Sequence, residues 1–139
     1  MREHAAGQKL PGDAIIDVPC DIWVPAARPD VINEGNVKRL NTRLVAQGAN
    51  IPCTVEAEGA LHQRGVLVIP DFIANAGGVI CAAIEYQKGT KTTAFDYIDE
   101  HIRANTRTIL EDAKRKHTPP RTAALALAEE RVRTATGTR

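Results

Sequence analysis

No segment of this sequence is a run of the roughly 20 apolar residues that a membrane span needs. The charged opening Met1-Arg2-Glu3-His4 likewise lacks the apolar stretch of a signal peptide. A membrane-spanning protein and a secreted one are both set aside, and the expected location is the cytoplasm. Nor is there a surplus of either charge, since 18 Lys and Arg stand against 17 Asp and Glu. The basic residues are spread along helical stretches rather than gathered, so no field exists to collect phosphates, which weighs against nucleic acid as a partner. Cysteine is sparse: Cys20, Cys53 and Cys81 are the 3 present, widely spaced among apolar neighbours, and read as reduced structural thiols rather than a disulfide frame. His62, His101 and His117 fall on expected helix surfaces with no acidic or sulfur partner at ligand spacing. They read as solvated, and no metal site is expected.

What is there suffices for one modest core, because 139 residues at 43% hydrophobic bury roughly two-thirds of their unfolded surface. Residues 1–19 show no clear period and read as a loosely ordered lead-in or as the torn end of something longer, leaving 20–139 as the domain. Ile22-Trp23-Val24, Leu44-Val45-Ala46 and Val66-Leu67-Val68-Ile69 are short apolar runs closed by Pro25, Gln47-Gly48 and Pro70. Between the first two, 32–40 has helical spacing with Asn33 as N-cap, and between the last two Thr54 caps a helix through 64, stopped by Gly65. This alternation predicts three parallel strands joined by right-handed crossovers and covered on both faces: an α/β unit. Beyond Pro70 the chain becomes wholly helical. A stretch from Ile73 through Gly77-Gly78 runs to Gln87 and stops at Gly89. Phe95, Ile98, Ile102, Ile109 and Ala113 then form one stripe of a long amphipathic helix, with Asp99–Arg103 and Asp112–Lys116 one turn apart on its wet side. Thr118 as N-cap and Pro119 at the first position start a last helix over about 123–132.

The strand ends carry the function. In a parallel α/β sheet, ligands bind beyond the carboxyl ends of the strands, and here those ends read Pro25-Ala26-Ala27, Gly48-Ala49-Asn50 and Pro70-Asp71 running into Asn75-Ala76-Gly77-Gly78. Small residues let a flat ligand approach the backbone, and Asn50 and Asn75 offer amides that both donate and accept. The set suits a neutral polar ligand such as a carboxamide with a ribose. Each loop alone is common turn chemistry; the coincidence of three carries the reading. Gly77-Gly78 costs on the order of 1 to 2 kcal/mol inside a helix, which either close packing on the sheet or a ligand could explain. Asp71 reads either as a catalytic carboxylate or, more commonly beside a turn, as a local hydrogen-bond acceptor. Cys53 has no His nearby in sequence to activate it as a nucleophile.

Four strings in register, Cys20-Asp21-Ile22-Trp23-Val24-Pro25-Ala26-Ala27, Gln47-Gly48-Ala49-Asn50-Ile51-Pro52-Cys53-Thr54, Val68-Ile69-Pro70-Asp71 and Ala74-Asn75-Ala76-Gly77-Gly78-Val79, resemble the glutamate/leucine/phenylalanine/valine group of amino acid dehydrogenases. The resemblance spans about 13–132 and implies the carboxyl-terminal half of a Rossmann-type, doubly wound domain. It implies reversible oxidative deamination of an L-amino acid to a 2-oxo acid and ammonium with NAD or NADP. Ala26, Ala27, Gly48 and Asn50 would then line the nicotinamide and its ribose, and Asn75 would face that ribose or the amino acid. Glutamate-specific members place a serine four positions after the double glycine, at the substrate side chain; Ala82 stands there instead and counts against glutamate.

The family's substrate domain with its catalytic lysine and aspartate, and the Gly-x-Gly-x-x-Gly turn that seats the pyrophosphate, have no counterpart in these 139 residues. The expectation is a chain without catalytic residues of its own and without turnover alone. Two classes stay open: a piece of an enzyme, or a non-catalytic module that binds a ligand or protein through the same loops. If an absent half once paired with the first strand, that strand is a bare edge, and either self-association or a cover formed by 1–19 is expected.

Overall fold

The computed structural model describes residues 10–137. Three strands, β1 (Ile22–Trp23), β2 (Leu44–Ala46) and β3 (Leu67–Ile69), form one parallel sheet in the order β1-β2-β3. Ile22 lies opposite Leu44, and Val45 opposite Val68. Because side chains alternate along a strand, Val45 and Val68 enter one core with Ile16, Ile32, Leu40 and Leu61. Leu44 and Ile69 enter a second core, with Ile73, Ile109 and Ala124. The sheet is thus covered on both faces, as its uninterrupted apolar runs require.

Helix α1 (Val55–Gln63) supplies the first cover. Thr54 caps it by accepting from the Ala57 amide at 3.2 Å, and it ends before Gly65 at φ +75°, a conformation natural to glycine. The expected helix over 32–40 does not form. Asn33 and Asn36 turn their side chains on their own backbone: Asn33 Oδ1 accepts from the Gly35 amide, Asn36 Oδ1 from the Asn33 amide, and Asn36 Nδ2 donates to the Val31 carbonyl. Ile32 is drawn into a parallel bridge with Cys53. Local side-chain bonds of this kind compete with a helix, and what remains is a short 3-10 turn at Val37–Arg39. Arg64 steadies that turn by donating to the Val37 and Leu40 carbonyls at 2.6 and 2.7 Å.

The second cover is helical, with three departures from the sequence pattern. The stretch after β3 is broken into α2 (Asp71–Ala74) and α3 (Gly77–Tyr86), because Asn75 leaves helical geometry at φ −103°. The double glycine therefore opens a helix instead of interrupting one. A methyl added at Gly77 would touch the Ile98 side chain at 3.5 Å, and one at Gly78 would meet nothing within 4 Å, so packing on the sheet explains neither. At the end of α3, Lys88 takes the left-handed conformation, while Gly89 is where a side chain cannot fit: an added Cβ would lie 2.5 Å from Ile84.

In α4 (Lys91–Lys116) the buried stripe runs through Ala94, Ile109 and Ala113. Phe95, expected on that stripe, is 60% exposed with Lys91 over its ring, because it sits one position off the phase that Ala94 occupies. Helix α5 (Pro120–Gly137) begins earlier than expected, with Pro120 in its first position and Pro119 accepting from Thr122; the Thr118 hydroxyl caps nothing and has no partner. No described helix is long and apolar enough to cross a membrane.

Of the lead-in, residues 1–9 lie outside the described residues. Within 10–19 a 3-10 turn, Ala14–Asp17, buries Ile16 in the core and pairs Asp17 with Arg39 at 2.6 Å. This segment does not cover the edge of β1, where Ile22 is 57% exposed. Replacing Arg64 with alanine removes both of its bonds and leaves the Val37 carbonyl only the Leu40 amide at 3.3 Å, and an expected loss of ~1–3 kcal/mol is checked by the urea midpoint at unchanged m.

Candidate functional site

At the carboxyl ends of the strands the chain closes on itself. Ala49 donates its amide to the Pro25 carbonyl at 2.8 Å. A methyl on Gly48 would meet Ala26 Cβ at 3.2 Å and Val24 at 3.3 Å, so the tips of β1 and β2 touch only because position 48 has no side chain. The loop after β2 is joined to the break between α2 and α3 by an amide pair, Asn75 Nδ2 donating to Asn50 Oδ1 at 2.8 Å. Asn50 is exposed and Asn75 half-buried, which leaves the Asn50 amino group and the Asn75 carbonyl oxygen for a ligand. The structure thus brings Ala26 to Gly48 and Asn50 to Asn75, each pair beyond the carboxyl ends of the strands. Ala27 follows in an exposed bend, and Ala82 lies exposed within α3; neither hydrogen-bonds to these two pairs.

Beneath this ledge lies a buried polar network that sequence reasoning did not find. Gln47, Glu58 and Asp71 are 0%, 7% and 8% exposed, and Arg121 reaches them from α5. Arg121 Nε donates to both Glu58 oxygens at 3.0 and 2.9 Å, and its Nη2 to Gln47 Oε1 at 2.9 Å and Asp71 Oδ1 at 3.1 Å. Gln47 closes the ring, its Nε2 donating to Glu58 at 3.0 Å while its Oε1 accepts from the Asp71 amide at 3.2 Å. The other Asp71 oxygen accepts the Ile51 amide at 2.9 Å. Ile51 itself stands at φ +47°, a left-handed conformation that is an outlier for a β-branched residue.

Asp71 is therefore the local acceptor of the two sequence readings. Burial pushes its carboxyl up, but the Ile51 amide and the Arg121 guanidinium outweigh that and hold it below the ordinary carboxylate value. Burial likewise opposes the charge on Arg121, and Glu58 and Asp71 more than restore it. Cys53, 3% exposed, has its thiol pushed up to about 12, by burial first and then by the Glu58 charge. It stays protonated and is a packing group, not a nucleophile. Cys20, Cys53 and Cys81 are all free thiols, and His101 stacks on Tyr97 at the surface of α4. No group of acidic, histidine or cysteine side chains among the described residues could hold a metal. A cavity of about 430 Å³ lined by His62, Leu67, Lys114 and His117 lies at the opposite end of the sheet, beside the start of β3, and belongs to no residue of the ledge.

The only hints of the network in sequence were a glutamine hard against a strand end and a glutamate beside the buried Ala57 face of α1. That they share an arginine 63 residues beyond Glu58 is set by tertiary packing. Because the folded-state carboxyl of Asp71 is depressed, its contribution to stability is complete above the ordinary carboxylate range and is lost as pH falls through the folded value. The stability difference between wild type and Asp71→Asn is expected to be constant above about pH 5 and to shrink below about pH 4, as read from urea midpoints across that range.

A sequence model of the Glutamate/Leucine/Phenylalanine/Valine dehydrogenase family matches residues 1–139. The glutamate dehydrogenase of Aeropyrum pernix is 36% identical over 95% of this chain and 34% of its own length. The NADP-specific glutamate dehydrogenase of Saccharolobus shibatae is 35% identical over 93% of this chain and 32% of its own. Among solved structures, L-tryptophan dehydrogenase from Nostoc punctiforme superposes with a TM-score of 0.81 at 27% identity, over 88% of this chain and 38% of that one. The fold is thus that of the Rossmann-type domains of such dehydrogenases, and the chain spans about a third of the length of the curated relatives it matches. With its strand ends, its fold and its whole length in agreement, this chain belongs to the glutamate/leucine/phenylalanine/valine dehydrogenase family.

Proposed function

We propose that this chain forms the nicotinamide-side half of the coenzyme cleft of an NAD(P)-dependent amino acid dehydrogenase, which interconverts an L-amino acid with its 2-oxo acid and ammonium. The observation that carries the reading is the Asn50–Asn75 amide pair, which ties the loop after β2 to the end of α2 beyond the carboxyl ends of the strands, where ligands of parallel α/β sheets bind. The donor set fits the group: the amide atoms left over by that pair are one donor and one acceptor, complementary to a carboxamide and a ribose hydroxyl. Ala26, Ala27 and Gly48 leave the backbone open to a flat ring. The two carboxylates beneath it are already committed, Asp71 to Arg121 and Ile51 and Glu58 to Arg121 and Gln47, so the ledge binds through its amides. A bound nicotinamide supplies the hydride acceptor, and in the reverse direction the donor. What this chain's residues do is bind and orient it, Asn75 facing the ribose or the amino acid. Ala82 offers a methyl group toward the substrate and favours a side chain other than a carboxylate.

The remainder of the sheet is proposed to pair along the open edge of β1, where Ile22 and Val24 are exposed. Without a pyrophosphate turn and a catalytic lysine, these 139 residues bind coenzyme weakly and do not turn over. Adding NAD or NADP to the isotope-labelled chain is expected to shift the side-chain amide signals of Asn50 and Asn75, and Asn50→Ala to abolish the shift at Asn75. Unmoved amides with a stable protein complex would favour the binding-module reading, and turnover of any amino acid by the purified chain would overturn its inactivity.

A further inference from the structure

Ile51 poses a physical question that the ledge alone does not answer. Left-handed backbone is unfavourable for an L-residue by about 1 kcal/mol or more and worse when the side chain is β-branched. Ile51 adopts it while its side chain is 62% exposed, so packing of that side chain is not what holds it there. Its two backbone groups are what is held. Its amide donates to Asp71 Oδ2 at 2.9 Å, and its carbonyl accepts from the Asp30 amide at 2.9 Å. The first anchor is a carboxylate buried at the start of α2 and fixed through its other oxygen by Arg121. Arg121 is in turn fixed by Glu58 and Gln47 and covered by the Phe72 ring at 5.6 Å. The residue immediately before Ile51 is Asn50, whose amide makes the pair with Asn75.

We propose that Asp71 is a positioning residue for the coenzyme ledge: through the Ile51 amide it imposes the backbone turn that aims Asn50 at Asn75, and Arg121 of α5 locks Asp71 in that role. This deepens the coenzyme-cleft reading and rests on it only for the identity of the ligand. Asp71 touches no ligand itself. Its two oxygens divide the work, one facing the guanidinium and one facing the strained backbone, so the far end of the chain governs a loop 70 residues earlier. Strain of this sort persists only where the surroundings over-determine it.

The test uses the labelled 139-residue chain, its assigned Asn50 and Asn75 side-chain amide signals, and nicotinamide mononucleotide as the probe. Asp71→Asn is expected to move both amide signals before any ligand is added, and to weaken binding of the mononucleotide roughly tenfold, the scale of one lost buried charge-assisted bond. Glycine adopts left-handed backbone without penalty, so Ile51→Gly in the Asp71→Asn background is expected to return the signals and the affinity to near the wild-type values. A carboxylate that merely stabilised the fold would gain nothing from that second change. Unmoved Asn50 and Asn75 signals in Asp71→Asn, or a displacement that Ile51→Gly does not repair, overturns the proposal. Should Asp71→Asn fail to fold, Arg121→Lys takes its place, keeping the charge and losing the fork; displaced Asn50 signals support the proposal and unmoved ones overturn it. If the wild-type chain does not bind the mononucleotide, the coenzyme reading fails by itself, and the ligand-free amide signals still decide the positioning role.

Discussion

The structure turns on one guanidinium. Arg121 stands where the carboxyl ends of β2 and β3, the buried face of α1 and the start of α5 meet, and it is the cation shared by Glu58 and Asp71. Each buried charge in such a cluster is costly by itself, and removing one partner from a buried pair typically costs about 3–5 kcal/mol because the other is left stranded. The cluster is tolerable only as a whole. Gln47, with no exposed surface, satisfies both its donor and its acceptor within the ring, which is how buried polar groups avoid their desolvation penalty. This gives the fold a single geometry at the end of the sheet where geometry matters, whereas the apolar cores on either face would tolerate small slips.

From that fixed point the ledge follows. Asp71 ties the network to Ile51, Gly48 lets the tip of β1 close against β2, and the Asn50–Asn75 pair spans the rest. A neutral amide surface is thus laid over a charged foundation. The carboxylates of that foundation are buried and committed to Arg121, and the atoms at the surface of the ledge are those of the Asn50 and Asn75 amides.

Much of this was legible in the residues. Apolar runs closed by Pro25, Gly48 and Pro70 marked three parallel strands, and Thr54 and Gly65 bounded α1, because caps and breakers act locally. The misses were also local, and each has a reason. Spacing alone put a helix over 32–40, where two asparagines bond their own backbone; it put Phe95 in a stripe whose phase Ala94 holds; and it gave the start of α5 to Thr118 when Pro119 and Pro120 take it. The small and amide-bearing residues of the ledge could be read because they follow strands directly. Arg121 could not, since an arginine in an alanine-rich helix looks like any solvated charge until the helix is docked.

The paired prolines at the head of α5 have a mechanical consequence. Neither has an amide hydrogen, so the first backbone donor of that helix is the one on Arg121 itself, and the last peptide tether before it is the Thr118 amide on the Ala113 carbonyl at 3.0 Å. The grip of Arg121 on Glu58 and Asp71 adds a side-chain anchor to the opening turn. In most helices the ends loosen first and the middle follows. Here the clasp is the second residue of an 18-residue helix, so the end that would loosen first is held by its own side chain.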